Sequence, residues 1–424
     1  MKRQIYLLLF LFSFITFANA QDFTDDIKNI EQKVIEWRRD FHQNPELSNR
    51  EFNTAKKIAT HLKSLGIATK ENVAKTGVVG ILKGNLPGKV VALRADIDAL
   101  PVTERNNLTF KSEKTSTYLG KKVGVMHACG HDTHIAILMG VAEVLSKHKN
   151  KVKGTVKFIF QPAEEGAPEG EEGGAELMVK EGVLKNPDVD AIFGLHISSN
   201  FDVGTIGYKA GGIMAASQAF KIKVKGKQSH GSRPWTSIDP IMISAKIIDG
   251  LQTIVSREID VTNKGAVITV GKIESGVRSN IIPESAEMIG TIRTLDYSMQ
   301  KQINDRMKTM VPAIAKAYRA EASIFIEKGY PITFNNEALT AKILPTLQNI
   351  AGKSNVKEIK AITGAEDFSF FQKEVPGFYF FLGGKTVGNK NPYPHHTPDF
   401  IIDESGMLLG VKTMTQLAID FLNN

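Results

Sequence analysis

The chain is predicted to be a two-domain α/β protein: a mixed sheet with flanking helices, interrupted by a smaller inserted α+β unit. Three observations carry this. Its 424 residues exceed what a single core usually organises. Short β-rich apolar runs alternate with helical patterns in the first half and again near the end. Between residues 211 and 328 the texture changes to an alternation of apolar and charged residues, the mark of strands wet on one face. No repeat or low-complexity tract points to a solenoid or a tail.

Residues 1–20 read as a signal peptide. Lys2-Arg3, an apolar run from Ile5 to Phe17 and the small-x-small sequence Ala18-Asn19-Ala20 place the mature start near Gln21. A bilayer-spanning helix needs roughly 20 residues, so this run is short for a span. A retained anchor is the alternative. The expectation is export, to a periplasm or the outside, with no stable membrane span after the signal is removed.

Residues 21–210 are expected to form the first part of the larger, catalytic domain. Helical spacing runs from Phe23 to Asp40 and from Thr54 to Leu65. Val90-Val91-Ala92-Leu93 reads as a buried parallel strand ending at Arg94-Ala95-Asp96. Ile135 to Leu145 is helical. Thr155 to Phe160 is a strand leading into Gln161-Pro162-Ala163-Glu164-Glu165, and Ala191 to Leu195 is a strand ending at His196. In the insertion, Phe220–Val224, Ala266–Ile273 and Ala286–Ile292 are strand-like, separated by helical patterns at Ile241–Val255 and Met299–Tyr318. Residues 329–424 return to a helix, a buried strand at Phe378 to Leu382 and a final helix from Ser405 to Leu422.

The formal charge of +8 includes Lys2 and Arg3, and the other basic residues are dispersed among acids. Dispersion of this kind is a solvated surface and argues against a nucleic-acid partner. With one cysteine, Cys129, the chain has no internal disulfide. A lone thiol in an oxidising compartment must be buried or held by a metal.

Val125-Met126-His127-Ala128-Cys129-Gly130-His131-Asp132-Thr133-His134 is the densest chemical cluster, holding three of the ten histidines. Cys and His suit zinc and related metals. Gly130 allows a tight turn, so that Cys129 and His131 could reach one ion, and Asp132 would suit the N-cap of the next helix. Glu164 and Glu165 follow a buried strand. Adjacent carboxylates point different ways, so one can bind metal while the other holds a water. His196 alone reads more often as a satisfied buried histidine than as a ligand. His395-His396 in a Pro-rich loop is a weak ligand signal. An Asp such as Asp96 or Asp98, after the first strand, often supports a ligand by a hydrogen bond. Pooled, these groups suffice for two metals.

The motifs together resemble the aminoacylase/carboxypeptidase branch of the co-catalytic metallopeptidases. That branch includes hippurate hydrolases, N-acyl-amino acid amidohydrolases and plant auxin-conjugate hydrolases. The likeness runs from about Ile27 to the C-terminus. It rests on RRDFHQNPELS (38–48), LRADIDALPVTE (93–104), MHACGHDTH (126–134), QPAEEG (161–166), SHGSRPW (229–235), SNIIPE (279–284), GTIRT (290–294), GAEDFSFF (364–371) and HTPDFIIDE (396–404). The resemblance implies a zinc-peptidase-like mixed sheet and an inserted ferredoxin-like lid that pairs subunits into a homodimer. It implies two divalent ions per subunit, zinc or manganese, with cobalt or nickel also workable. Cys129 would bridge them, with His131 and His196 on one and Glu165 and His396 on the other. Glu164 would be general base and then general acid, and Asp98 would orient the site from behind. The wider clan has a metal-binding His two residues before that Asp; here the position is Asp96, which is not taken as a ligand, His131 serving instead. His230, Asn280 and Arg293 would hold the scissile carbonyl or the substrate carboxylate, partly across the dimer.

The implied function is hydrolysis of the amide of an N-acyl-amino acid or related conjugate, a small-molecule substrate. A dipeptidase or carboxypeptidase would use the same site. A non-catalytic binding protein would lack Glu164 or a ligand, and a thiol enzyme built on Cys129 would resist chelators.

Overall fold

Leu86–Asp96, Lys153–Gln161, Ala191–Asp202 and Gly377–Lys385 contain nearly unbroken buried runs. Strands of this kind need cover on both faces. The computed structural model describes residues 23–262 and 264–424, and in it these four strands lie side by side and parallel. The expected signal peptide and the start at Gln21 lie outside the described residues. The four strands are the centre of an eight-stranded mixed sheet. Its order is Ala68–Val73, Gly77–Lys83, Lys153–Gln161, Leu86–Asp96, Ala191–Asp202, Gly377–Lys385, Ile206–Tyr208 and Val356–Glu358. The antiparallel pairings lie to either side of the parallel centre.

Period-two alternation sorts these strands between two cores. Val91, Leu93, Phe158, Phe160, Phe193, Leu195, Phe378 and Phe380 meet one face, under the helices His131–Lys147 and Met407–Asn423. Ala92, Ile159, Ile192, Tyr379 and Phe381 meet the other, with Met178 and Phe371 of the short helices Gly174–Lys180 and Ser369–Glu374. Phe193 has no exposed surface, and its truncation to Ala would cost roughly 3–5 kcal/mol. The helix Glu31–Gln43 packs on His131–Lys147, and Phe52–Ser64 packs beside it. Among the described residues no helix is long and apolar enough to cross a membrane.

A second sheet is built from Ala216–Lys225, Ala266–Ser275, Ser285–Thr294 and Glu321–Ile326, all antiparallel. The chain order is β-α-β-β-α-β, with helices Pro240–Thr253 and Tyr297–Ala317 on one face. Numbered along the chain, the strands lie in the order 2-3-1-4, a split βαβ arrangement. Phe220, Ile222 and Val224 point into the core with Ile247, Met288 and Met307. Lys221 and Lys223 alternate with them and pair with Glu287 on the wet face.

Two local readings are corrected. The strand from Ala191 does not end at His196 but runs on to Asp202, so His196 projects from within it. Asp132 does not cap its helix. Gly130 holds the N-cap position, and the buried Asp132 carboxylate instead accepts from His42 Nδ1 at 2.8 Å and faces Arg38 Nε at 2.8 Å.

Candidate metal centre

The centre begins at Gly130, whose φ of +89° is open to glycine. A Cβ there would lie 2.4 Å from Ile197 Cγ2. This turn ends the loop bearing Cys129 and starts the helix bearing His131. His131 Nδ1 donates to the Asp98 carbonyl at 2.9 Å, which turns Nε2 inward. His196 does the same with the Ile197 carbonyl at 2.6 Å, leaving its Nε2 3.3 Å from Cys129 Sγ. His396, itself at φ +63°, brings its Nε2 to 3.2 Å from that sulfur. Backbone carbonyls holding Nδ1–H and fixing the tautomer are what metal-binding imidazoles require.

The carboxylates arrive on the turn after Lys153–Gln161. Asp98 accepts the Glu164 N–H at 3.1 Å, the Glu165 N–H at 3.0 Å and the Ser48 hydroxyl at 2.7 Å. Glu164 Oε2 and Glu165 Oε1 stand 3.8 and 3.9 Å from His131 Nε2. Glu165 Oε1 is 3.1 Å from His396 Nε2 but lacks hydrogen-bond alignment, and His131 Nε2 is likewise buried with no hydrogen-bond partner among the described residues. Two inward-facing polar atoms without protein partners suit cations beside them.

Five groups of possible donors lie within 4.8 Å of one another among the described residues, and two of them contain Cys129: Cys129/His131/His196 and Cys129/Glu165/His396. Cys129 belongs to both. Burial, then Glu165 and Glu164, push its thiol well above the usual range, so a thiolate here needs cations beside it. Burial opposes charge on His131, yet Asp96 and Asp98 outweigh it and raise its pKa to about 10. Burial, Glu366 and Glu165 hold the Glu164 carboxyl well above the ordinary value.

Other nearby groups are engaged elsewhere. His134 faces Asp96 Oδ1 at 2.6 Å and accepts the Ile197 N–H at 2.8 Å. His395 uses both nitrogens on backbone, facing the Cys129 carbonyl and the Ser199 N–H, each at 3.2 Å. Asp96 is taken by His134 and by Arg94 Nη1 at 2.6 Å. The fully buried Arg94 also donates to Glu366 at 2.9 Å, Asp367 at 3.0 Å and Gln161 at 2.8 Å. Sequence reasoning does not single out Arg94, Glu366 or Asp367. A charged residue inside an apolar strand, and adjacent acids before Phe368, are the available signals.

A cavity of about 530 Å³ opens over the centre, lined by Cys129, Glu164, Glu165, His196 and His396. Met214, Val267, Ile362 and Phe381 form apolar parts of its wall, and Arg293 reaches it from the second sheet. Asp98 lies behind the wall. His230 and Asn280 do not line it: they sit together on an exposed ribbon where His230 faces Ile281 and the Gly231 N–H donates to the Asn280 carbonyl. The structure thus gathers Cys129, His131, Glu164, Glu165, His196, His396, Asp98 and Arg293 around one cavity and leaves His230 and Asn280 outside it.

Residues 92–420 match peptidase family M20/M25/M40. The chain belongs to this family. Among its relatives, thermostable carboxypeptidase 2 of Saccharolobus solfataricus is 45% identical over 401 residues, covering 94% of this chain and 98% of the relative. N-acetylcysteine deacetylase of Bacillus subtilis is 38% identical over 401 residues, covering 92% and 97%. The crystal structure of the Bacillus subtilis YXEP protein, a dinuclear metal-binding M20 peptidase, superposes with a TM-score of 0.78 at 35% identity, covering 93% of this chain and 99% of that one. For an M20/M25/M40 member, two thiol-sharing donor sets beside a buried glutamate are a coherent hydrolytic site.

Proposed function

We propose that this M20/M25/M40 protein is a dinuclear metal-dependent amidohydrolase that releases an amino acid from an N-acyl-amino acid or related conjugate. The observation that carries it is Cys129 standing in two donor sets at once, with Glu164 3.8 Å from His131 and free to act as a base. His131 and His196 would hold one ion and Glu165 and His396 the other, with Cys129 between them. When bound, the ions polarise the amide carbonyl and acidify a water. Glu164 takes the proton of the attacking water and returns it to the leaving amine. Asp98 keeps Glu164 and Glu165 in place through their N–H groups. Arg293 grips the substrate carboxylate and orients the amide.

His230 and Asn280 lie on an exposed ribbon, with Trp235 75% and Val277 94% exposed in the same region. That exposure supports a homodimer through the second sheet's domain, in which His230 would reach a partner's cavity and stabilise the oxyanion. Light scattering on the purified protein tests the dimer. The Lys2-Arg3, apolar and Ala18-Asn19-Ala20 pattern supports export, and N-terminal sequencing of the protein recovered outside the cytoplasm tests it.

The deciding experiment assays the mature protein on N-acetyl-, N-benzoyl- and dipeptide substrates before and after chelation. Chelator-sensitive release of a free amino acid, restored by added zinc or manganese, is expected. Glu164→Gln should keep the metals and lose turnover; wild-type rates in that variant would sink the assignment. A carboxypeptidase reading is supported by the 45%-identical relative and by Arg293 in the cavity. Preference for peptides over simple acyl substrates would favour it.

A further inference from the structure

We propose that Glu51 is a positioning residue: through the Ala163 N–H it fixes the turn that aims the Glu164 carboxyl, while Glu165 keeps its place through its own N–H bond to Asp98. The inference rests on Glu164 being the general base. Ala163 is buried and has φ +52°, a left-handed conformation disfavoured by any residue with a Cβ. Its N–H is satisfied by Glu51 Oε1 at 2.9 Å. The next two N–H groups, of Glu164 and Glu165, go to Asp98. Two buried carboxyl groups therefore grip three consecutive N–H groups. Asp98 comes from just past the end of the strand Leu86–Asp96. Glu51 comes from a separate element, at the start of the helix Phe52–Ser64.

Glu51 has no exposed surface and does not line the cavity, so it acts through Ala163 and not on substrate. Its second oxygen accepts from Thr76 Oγ1 at 2.5 Å, which fixes the carboxyl rotation. A buried acid is costly unless it has such work. Without Glu51 the Ala163 N–H is left buried and unpaired, and the strained turn can relax away. Glu164 would then sit off the line needed for proton transfer. Only an acceptor oxygen is required, so a carboxamide in place of the carboxyl preserves the grip.

The test compares the wild type, Glu51→Ala, Glu51→Gln and Glu164→Gln as full-length metal-loaded proteins, on the best N-acyl-amino acid of the panel. The readouts are kcat, KM, bound metal and melting temperature. Glu51→Ala is expected to lose about 100-fold in kcat, with KM within about threefold of wild type and metal content unchanged. Glu51→Gln should return kcat to within about threefold of wild type. Three results would overturn the proposal: undiminished kcat in Glu51→Ala, a loss that only tracks lost metal, or a Gln variant as impaired as Ala. If Glu51→Ala does not fold, Thr76→Val removes the hydroxyl that anchors Glu51 and should lower kcat in the same direction; an unchanged kcat would again overturn it. Full turnover in Glu164→Gln defeats the base assignment and this inference with it. A dead Glu164→Gln beside a fully active Glu51→Ala defeats this inference alone.

Discussion

Cys129 Sγ lies 3.2 Å from His396 Nε2 across 267 positions of sequence. The same sulfur is 3.3 Å from His196 Nε2, so one thiol serves both donor sets. Cys129→Ala is expected to lose both ions on desalting, whereas His396→Ala loses one. Elemental analysis of the two variants checks this. Equal retention in both would mean the sulfur is not shared.

Arg94 rises from the buried end of the strand Leu86–Asp96 and faces Asp96, Glu366 and Asp367 in a buried cluster. Removing one partner of a buried ionic cluster leaves charges uncompensated and costs roughly 3–5 kcal/mol. Arg94→Met should therefore lower the denaturation midpoint sharply. A variant as stable as wild type would show that the acids are neutral or hydrated.

Gly130→Ala places a Cβ 2.4 Å from Ile197 Cγ2 at φ +89°. Overpacking of this size costs about 1–3 kcal/mol before the backbone strain is added. The expected result is a lower melting temperature together with reduced metal content. Normal metal content would show that the turn can rearrange without moving Cys129 or His131.

Arg293→Ala should raise KM for substrates with a free carboxylate by about 10- to 100-fold, the worth of a hydrogen bond to a charged group. Carboxamide-capped analogues should be little affected. Equal losses on both would place Arg293 in a structural role.

His42 is buried between Asp132, at 2.8 Å, and Glu104, at 3.0 Å. Burial and Arg38 oppose its charge, but Asp132 and Glu104 outweigh them and its pKa is raised. The folded state therefore holds a proton that the unfolded state releases above about 6.5. The stability His42 contributes is fully present below that value and is lost as pH rises through the folded pKa. The gap in urea midpoint between wild type and His42→Gln should narrow as pH rises above about 6.5. A constant or widening gap would contradict the assignment.

The buried strands are legible in the sequence because their apolar runs are long and β-rich, as at Val90–Leu93 and Phe378–Leu382. Ala68–Val73 is not, because it is an exposed edge and Ala-Thr-Lys-Glu-Asn-Val carries no apolar pattern. Gly77–Lys83 is hidden by its glycines, and Glu321–Ile326 by its shortness. Cys129, His131 and the two glutamates stand out because ligand-type residues crowd together at loops. The supports behind them do not. Asp132 looks like a helix cap, yet its partner His42 lies 90 positions away, and only the tertiary fold reveals that claim. Glu51 looks like an ordinary surface acid before an amphipathic helix. Its burial is decided by a turn 112 positions further along the chain.

The strand Gly377–Lys385 lies between Ala191–Asp202 and Ile206–Tyr208, in the middle of the large sheet. The ribosome makes its neighbours long before it. At about 5–20 residues per second, the nascent chain waits roughly 9–35 s between completing Ala191–Asp202 and reaching Gly377. During that interval the strand bearing His196 presents an unpaired, apolar edge, the kind of surface that recruits other chains. The second sheet, whose strands pair with one another, can fold within the same interval. The large sheet is thus the last part of the protein to close, because an interior strand of its register belongs to the C-terminal segment.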